Sequence, residues 1–192
     1  MPITSLPEEL LLQILKYVFH VPMDRLYLAS DGPWALHGPH PSPLNQDAPL
    51  RVSKTWRRVG TPLLYRFLTL QDKDHHSSVA EVLRDSPAVA DAVQCLTLRP
   101  GRGGYGRTLT PIARLTPKTK ILSLDLSIRS DTSITGIKQA LHLWNPAHLL
   151  LSCRKSTKRL NQRWPELLAK LTELISRGEH WSRLVSVLIE SI

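Results

Sequence analysis

A glycine-rich segment near the middle of the chain has the spacing of a phosphate-binding loop. Gly101–Gly106 reads G-x-G-x-x-G, and Asp125 follows 19 residues later, near the position of the ribose-binding acid in dinucleotide-binding folds. However, Pro100 precedes the first glycine, and Pro111 interrupts the helix whose N-terminus would stabilise a pyrophosphate. We therefore interpret the glycines as a loop between structural elements and expect no bound cofactor.

Histidines occur in two close groupings, His75-His76 and His37-x-x-His40. Neither grouping has a cysteine or carboxylate nearby at the spacing of metal ligands. We expect surface histidines and no metal site. The sequence also contains no nucleophile elbow, no paired-carboxylate motif and no Walker-type loop, so we expect a protein that is not an enzyme.

Positive charge is concentrated in the second half of the chain. The net charge is +9, but residues 1–60 carry six Lys/Arg against five Asp/Glu. The stretch 99–163 carries thirteen basic residues against two acidic ones. Its densest cluster consists of Arg154, Lys155, Lys158, Arg159 and Arg163.

A basic nucleic-acid-binding module is the alternative function that this stretch allows, since clustered cations bind phosphate backbones. Trp164 is the only aromatic residue beside the cluster, and no known nucleic-acid module surrounds it. A solvated basic face is therefore the favoured interpretation, and nucleic acid is not the expected partner.

Composition indicates a globular protein of a reducing compartment. Hydrophobic residues make up 42% and charged residues 21% of the chain, as in ordinary soluble domains. The two cysteines, Cys95 and Cys153, form neither a disulfide framework nor a metal motif. No stretch approaches the roughly 20 apolar residues that cross a bilayer. We expect a cytoplasmic or nuclear protein without a membrane partner.

The first half of the chain has the pattern of helices. Ser5–Glu8 has the spacing of a capping box, and the residues up to Phe19 are apolar except for Gln13 and Lys16 in the interior. A helix that is apolar on nearly all sides must be buried on nearly all sides. Either a partner covers one face of this helix, or it is the central helix of a larger core.

Residues 20–49 contain six prolines, a density that forbids regular elements and predicts a long loop. After the loop, helical spacing returns in residues 50–59, and Gly60 is expected to end that helix. Thr61 is a common N-cap residue and Pro62 is favoured at the first position of a helix. They predict another short helix that reaches Arg66.

These elements contain two motifs in a fixed order, and together they resemble the F-box of fungal F-box proteins. Ser53 stands where many members of that family have cysteine, and the loop 20–49 is longer than a compact F-box needs. The resemblance covers about a third of the chain. It is carried by Leu6-Pro7-Glu8-Glu9-Leu10-Leu11 with Ile14-Leu15, by Leu50 with Val52-Ser53-Lys54-Thr55-Trp56-Arg57, and by Pro62-Leu63-Leu64-Tyr65-Arg66.

The resemblance implies a three-helix F-box domain over residues 1–68. It further implies a substrate-recognition adaptor of an SCF-type ubiquitin ligase, which binds the Skp-type linker and, through it, a cullin scaffold. The C-terminal region would then bind a protein substrate. The residues that would contact the linker are Leu6, Pro7, Leu10, Ile14, Leu15, Leu50, Val52 and Trp56.

The second half of the chain repeats a short apolar strand pattern. The pattern occurs at 68–70, 96–98, 122–124 and 149–151, with starts 28, 26 and 27 residues apart, and a fifth candidate covers 184–188. Helix-like segments lie between these strands, at 77–84, 109–115, 134–143 and 164–177.

One strand and one helix in every 20–29 residues are typical of leucine-rich repeats, whose strands stack in parallel. The asparagine of their consensus is absent, so these would be degenerate repeats. A small compact α/β domain with a few parallel strands is the alternative. We predict an α+α/β protein with a leucine-rich-repeat-like region over 69–192. The last strand reaches Ile192 without a polar cap, which predicts that the native chain continues.

Overall fold

The structure is a computed structural model, and it describes residues 6–20, 48–70, 73–98, 108–125, 134–153, 164–177 and 181–191. The chain divides into two compact units, Met1–Arg66 and Phe67–Ile192. This division lies two residues from the boundary expected from the sequence. Among the described helices, none is long and apolar enough to cross a membrane.

The N-terminal unit contains helix α1 (Glu8–Val18), a 3-10 helix η1 (Ala48–Arg51) and helix α2 (Lys54–Leu64). Pro7 is the N-cap of α1, and Ser5 of the expected capping box lies outside the described residues. Glu8 and Glu9 lie in the first turn, where the helix dipole favours negative charge. Both α1 and η1 pack against α2.

Helix α2 is a single helix where the sequence predicted two. It begins after Ser53, whose hydroxyl oxygen accepts a hydrogen bond from the Trp56 N–H (3.2 Å). It then continues through Gly60 and Pro62 to Leu64. The prediction that Gly60 ends a helix was therefore wrong, and the described residues of this unit form two α-helices and one 3-10 turn.

Gly60 does not end the helix because its role is to let η1 and α1 pack closely against α2. A Cβ atom at Gly60 would lie 2.4 Å from Leu50 Cδ2 and 3.2 Å from Leu15 Cδ1. Such close approach of η1 and α1 to the α2 backbone is open only to glycine. Glycine is common both at helix ends and where two backbones approach closely. The sequence pattern therefore predicted the wrong role for Gly60.

The C-terminal unit alternates strands with helices, as predicted. Its strands are β1 (Phe67–Leu70), β2 (Cys95–Leu98), β3 (Ile121–Asp125), β4 (His148–Cys153) and β5 (Ser186–Ser191). Its helices are α3 (Lys73–Asp85), α4 (Pro87–Ala92), α5 (Leu109–Leu115), α6 (Ile134–Leu143) and α7 (Trp164–Arg177).

All five strands pair in parallel, in the order β1-β2-β3-β4-β5. The sheet therefore grows by one neighbouring strand with each strand–helix unit. Helices that follow one another along the chain also pack on one another, from α4 to α5, α6 and α7. The strands and helices thus advance together, as they do in a repeat array.

The register of the sheet aligns leucines from successive strands in two buried rows. Because side chains alternate between the faces of a strand, both rows lie on the same face. Each leucine fully removed from water stabilises the unit by roughly 1.5–3 kcal/mol. The rows are Leu68–Leu96–Leu122–Leu149 and Leu70–Leu98–Leu124–Leu151.

His76 is buried in the C-terminal unit, so the prediction of a surface histidine was wrong at this position. Its Nδ1 lies 3.1 Å from the hydroxyl oxygen of Thr108. Helix α3 begins at Lys73, earlier than predicted, which places His76 on the same side as the buried Val79 and Leu83. The spacing of three and seven residues was present in the sequence and is the signal that would have placed it inside.

Candidate docking surface

Helix α1 carries two separate apolar faces. Leu11 and Leu15 form the inner face and are buried in the N-terminal unit. The outer face consists of Leu10, Ile14 and Tyr17, at spacings of four and three residues, and the exposed Leu6 lies just before the helix. These spacings place the three helical side chains on one side of α1. We call this set the α1 stripe.

The α1 stripe is exposed to solvent within the N-terminal unit. Leu10 is 48% exposed, Ile14 41% and Tyr17 86%. Within the N-terminal unit, α1 is therefore not the central helix of a larger core, which was one of the two alternatives left by the sequence. Isolated surface leucines are common, but an aligned row of large apolar side chains on one helix marks an interaction surface.

The inner face fixes the orientation of the stripe. Leu15 and Leu50 meet at Gly60, where the absence of a side chain lets α1 and η1 approach α2 closely. In addition, an ion pair joins Glu8 at the start of α1 to Arg58 on α2. Both partners of this ion pair are at least half exposed, so its contribution to stability is small. The apolar contacts are what hold the helix.

The residues expected to bind the linker fall into two groups. Leu6, Pro7, Leu10, Ile14 and Val52 are exposed, and Trp56 is half-buried. By contrast, Leu15 and Leu50 are buried inside the unit and cannot form part of a surface in this conformation.

Two exposed large apolar residues of α1 were absent from the expected set, Tyr17 and Val18. Tyr17 lies three residues after Ile14 and continues the stripe by one helical turn. The spacing of Ile14 and Tyr17 predicts this position once it is known that one side of α1 is exposed. The sequence does not indicate which side of α1 is exposed, because both faces are apolar.

The C-terminal unit has a second surface, on the sheet face opposite the buried leucine rows. Thr69, Thr97 and Ser123 are aligned there across β1, β2 and β3, and each is partly exposed. The row continues in β4 and β5 as Leu150 and Leu188. On the same face Cys95, Ile121 and Leu150 are buried, so this side of the sheet is only partly exposed.

One serine–histidine pair is present on the same face, but it lacks the surroundings of a nucleophile. His148 Nδ1 lies 2.8 Å from Ser186 Oγ on the neighbouring strand. Ser186 N–H faces the Ala147 carbonyl within the sheet (3.3 Å), so it is not available to stabilise an oxyanion. The pair is a cross-strand hydrogen bond.

Most of the other residues considered for chemistry lie outside the described part of the chain. This holds for the glycine segment 101–106, for His37 and His40, and for the basic cluster 154–163. Asp125 is described and is buried at the end of β3, beside Ser152 of β4. Within the described ranges, no group of three or more His, Cys, Asp or Glu could hold a metal ion.

Comparisons with protein-family models, with curated proteins and with solved structures give no match to this chain.

Proposed function

We propose that this protein is an F-box-type adaptor that binds the Skp-type linker of an SCF ubiquitin ligase through the α1 stripe. The observation that carries the proposal is the two-faced helix α1, with Leu11 and Leu15 inside and Leu10, Ile14 and Tyr17 outside. A helix that keeps a large apolar face in water gains stability when a partner groove covers it. The same helix contains the motif that resembles an F-box.

The proposal assigns two different roles to the expected docking residues. Leu6, Leu10 and Ile14 would contact the linker directly, together with Tyr17. Leu15 and Leu50 would act indirectly, by holding α1 against α2 so that the stripe has a fixed geometry. A preorganised surface loses less conformational entropy on binding, which favours affinity.

The C-terminal unit would present a protein substrate, and we assign this role to the partly exposed row of Thr69, Thr97 and Ser123 on its sheet. In such an assembly the recruited conjugating enzyme performs the chemistry, and this chain contributes proximity. The cullin scaffold would be reached through the linker, in the cytoplasm or nucleus. No residue of this chain needs to act on the substrate covalently.

Isothermal titration of the purified chain with the Skp-type linker tests the proposal. Replacement of two stripe residues, Leu10→Ser with Ile14→Ser, should weaken the affinity about 100-fold or more, since hot-spot residues each contribute on the order of 2 kcal/mol. Both side chains are exposed, so the variant should fold. Circular dichroism verifies that it does.

The matched control is Val185→Ser with Ile189→Ser, which removes two exposed apolar side chains from the C-terminal unit. This variant should bind the linker with unchanged affinity. Absence of binding by the intact chain at micromolar concentrations removes the proposal. Equal loss of affinity in both double variants would show that the α1 stripe is not the binding surface.

A further inference from the structure

Positive charge is concentrated at the beginning of α2. Arg51, Lys54, Arg57 and Arg58 all lie on the surface of the N-terminal unit. Among the residues of this unit that the structure describes, six are Lys or Arg and only two, Glu8 and Glu9, are acidic. The net charge of the described part is therefore positive, and α2 carries much of it.

Folding does not account for Lys54 and Arg57. Lys54 is the first residue of α2 and Arg57 lies one turn later, where the positive end of the helix dipole disfavours positive charge. No acidic residue lies in this first turn. Across the described residues, no carboxylate pairs with Lys54 or Arg57, while Arg58 pairs with Glu8. Residues that break a local stability rule in this way are expected where a function requires them.

The basic start of α2 lies near the first turn of α1. Arg58 is joined by its ion pair to Glu8, two residues before Leu10. Val52, which is 52% exposed, lies between Arg51 and Lys54 in the chain. The start of α2 and the helix that carries the stripe thus meet at this ion pair, and both present exposed side chains on the N-terminal unit.

We propose that the partner protein that covers the α1 stripe is acidic at the margin of its groove, with carboxylates opposite Lys54 and Arg57. This inference rests on the proposed function and adds the chemistry of the partner surface to it. Opposite charges at the rim of an interface accelerate association more than they add affinity. Lys54 and Arg57 therefore set the association rate, while the apolar stripe sets the lifetime of the complex.

The test compares the association kinetics of the full chain with the Skp-type linker at about 50 mM and 500 mM salt. Lys54→Glu with Arg57→Glu should lower the association rate constant by roughly 10-fold or more at low salt, and the difference should largely vanish at high salt. The dissociation rate constant should change little. The melting temperature should stay the same or rise, because the variant places acids in the first turn of α2.

The control carries the same change of charge elsewhere, as Arg114→Glu with Lys120→Glu, two exposed positions in the C-terminal unit. It should leave the association rate within about 2-fold of the unmutated chain, because these charges belong to the other compact unit and are not part of the proposed rim. Association that is insensitive to salt, or equally slowed in both variants, overturns the acidic margin while the docking proposal stands. Complete absence of binding by the unmutated chain rejects the proposed function itself.

Nucleic acid is the other polyanion that such a surface could attract. Fluorescence anisotropy with mixed-sequence duplex DNA and with RNA separates the two cases. The proposal requires that the Lys54→Glu with Arg57→Glu variant differ from the unmutated chain in linker association. If this variant loses nucleic-acid binding and keeps its linker association rate, the inference is overturned.

Discussion

Gly60 lies where α1, η1 and α2 meet, and its hydrogen side chain is what the packing requires. A methyl group there would meet Leu50 at 2.4 Å and Leu15 at 3.2 Å. Real Cβ contacts do not occur at the shorter distance, so Leu50 or the helix backbone would have to move. Both leucines are fully or nearly fully buried, which leaves little room for that movement.

Gly60→Ala should therefore destabilise the N-terminal unit, although alanine is the better helix former. Overpacking costs about 1–3 kcal/mol, against a gain of up to about 1 kcal/mol from helix propensity. Hydrogen exchange followed by mass spectrometry should show reduced protection in α1 and α2.

The double variant Gly60→Ala with Leu50→Ala checks the cause. Leu50→Ala removes the side chain that the new methyl group would strike, so the two changes together should cost less than the sum of their separate effects. Strict additivity would mean that the Gly60–Leu50 approach is not what Gly60 provides.

Cys95 shows how burial controls the chemistry of a single side chain. Burial raises the pKa of its thiol to about 12, and a hydrogen bond with Thr97 opposes this only in part. In the unfolded chain the thiol ionises near pH 9. The folded-state pKa is the higher of the two, so the unfolded chain ionises first as the pH rises. The contribution of Cys95 to the free energy of unfolding is therefore complete below about pH 9 and is lost as the pH rises towards 12.

A Cys153→Ser chain, in which Cys95 is the only thiol, should react slowly with Ellman's reagent at pH 8 and rapidly in urea. Between pH 9 and 11, the free energy of unfolding should fall more steeply in this chain than in a Cys95→Ala, Cys153→Ser chain. Urea titrations at each pH measure that difference. Rapid labelling of the folded protein would contradict the burial of Cys95.

At the level of elements, the strands and most helices of the C-terminal unit could be predicted from the sequence. Their leucines recur every 26–28 residues in the first four strands, and this spacing is the repeat that the sheet register aligns. The predicted limits of α5, α6 and α7 agree with the structure. Helix α4 was missed because six residues are too few to show a helical period.

The N-terminal unit was less predictable because several of its residues are compatible with more than one local structure. Gly60 and Pro62 mark helix boundaries in most sequences, yet α2 contains both. Ser53 was noted only as a departure from the family pattern, and it caps α2 through its hydrogen bond to Trp56. In α1, the sequence defined a helix of apolar residues but not the side that faces the core. Leu15 was therefore expected at the surface, and Tyr17 was not.

At the scale of the whole molecule, the two units differ in how they bury their apolar residues. The N-terminal unit keeps one face of α1 uncovered, whereas β1 to β4 bury their leucine rows. Leu15 in the N-terminal unit and Leu122 in the C-terminal unit are both fully buried. A substitution at either position removes the same methyl groups from a packed interior.

Leu15→Ala and Leu122→Ala should each cost about 2–5 kcal/mol, but in different parts of the chain. Because the chain divides into two compact units, we expect each cavity to reduce hydrogen-exchange protection mainly in the unit that contains it. Leu15→Ala should also weaken linker binding, although Leu15 is buried, because α1 loses its fixed orientation. Leu122→Ala should leave linker affinity unchanged. If either substitution removes protection from both units, the chain unfolds as one cooperative body, and the affinity loss in Leu15→Ala no longer reports on α1 alone.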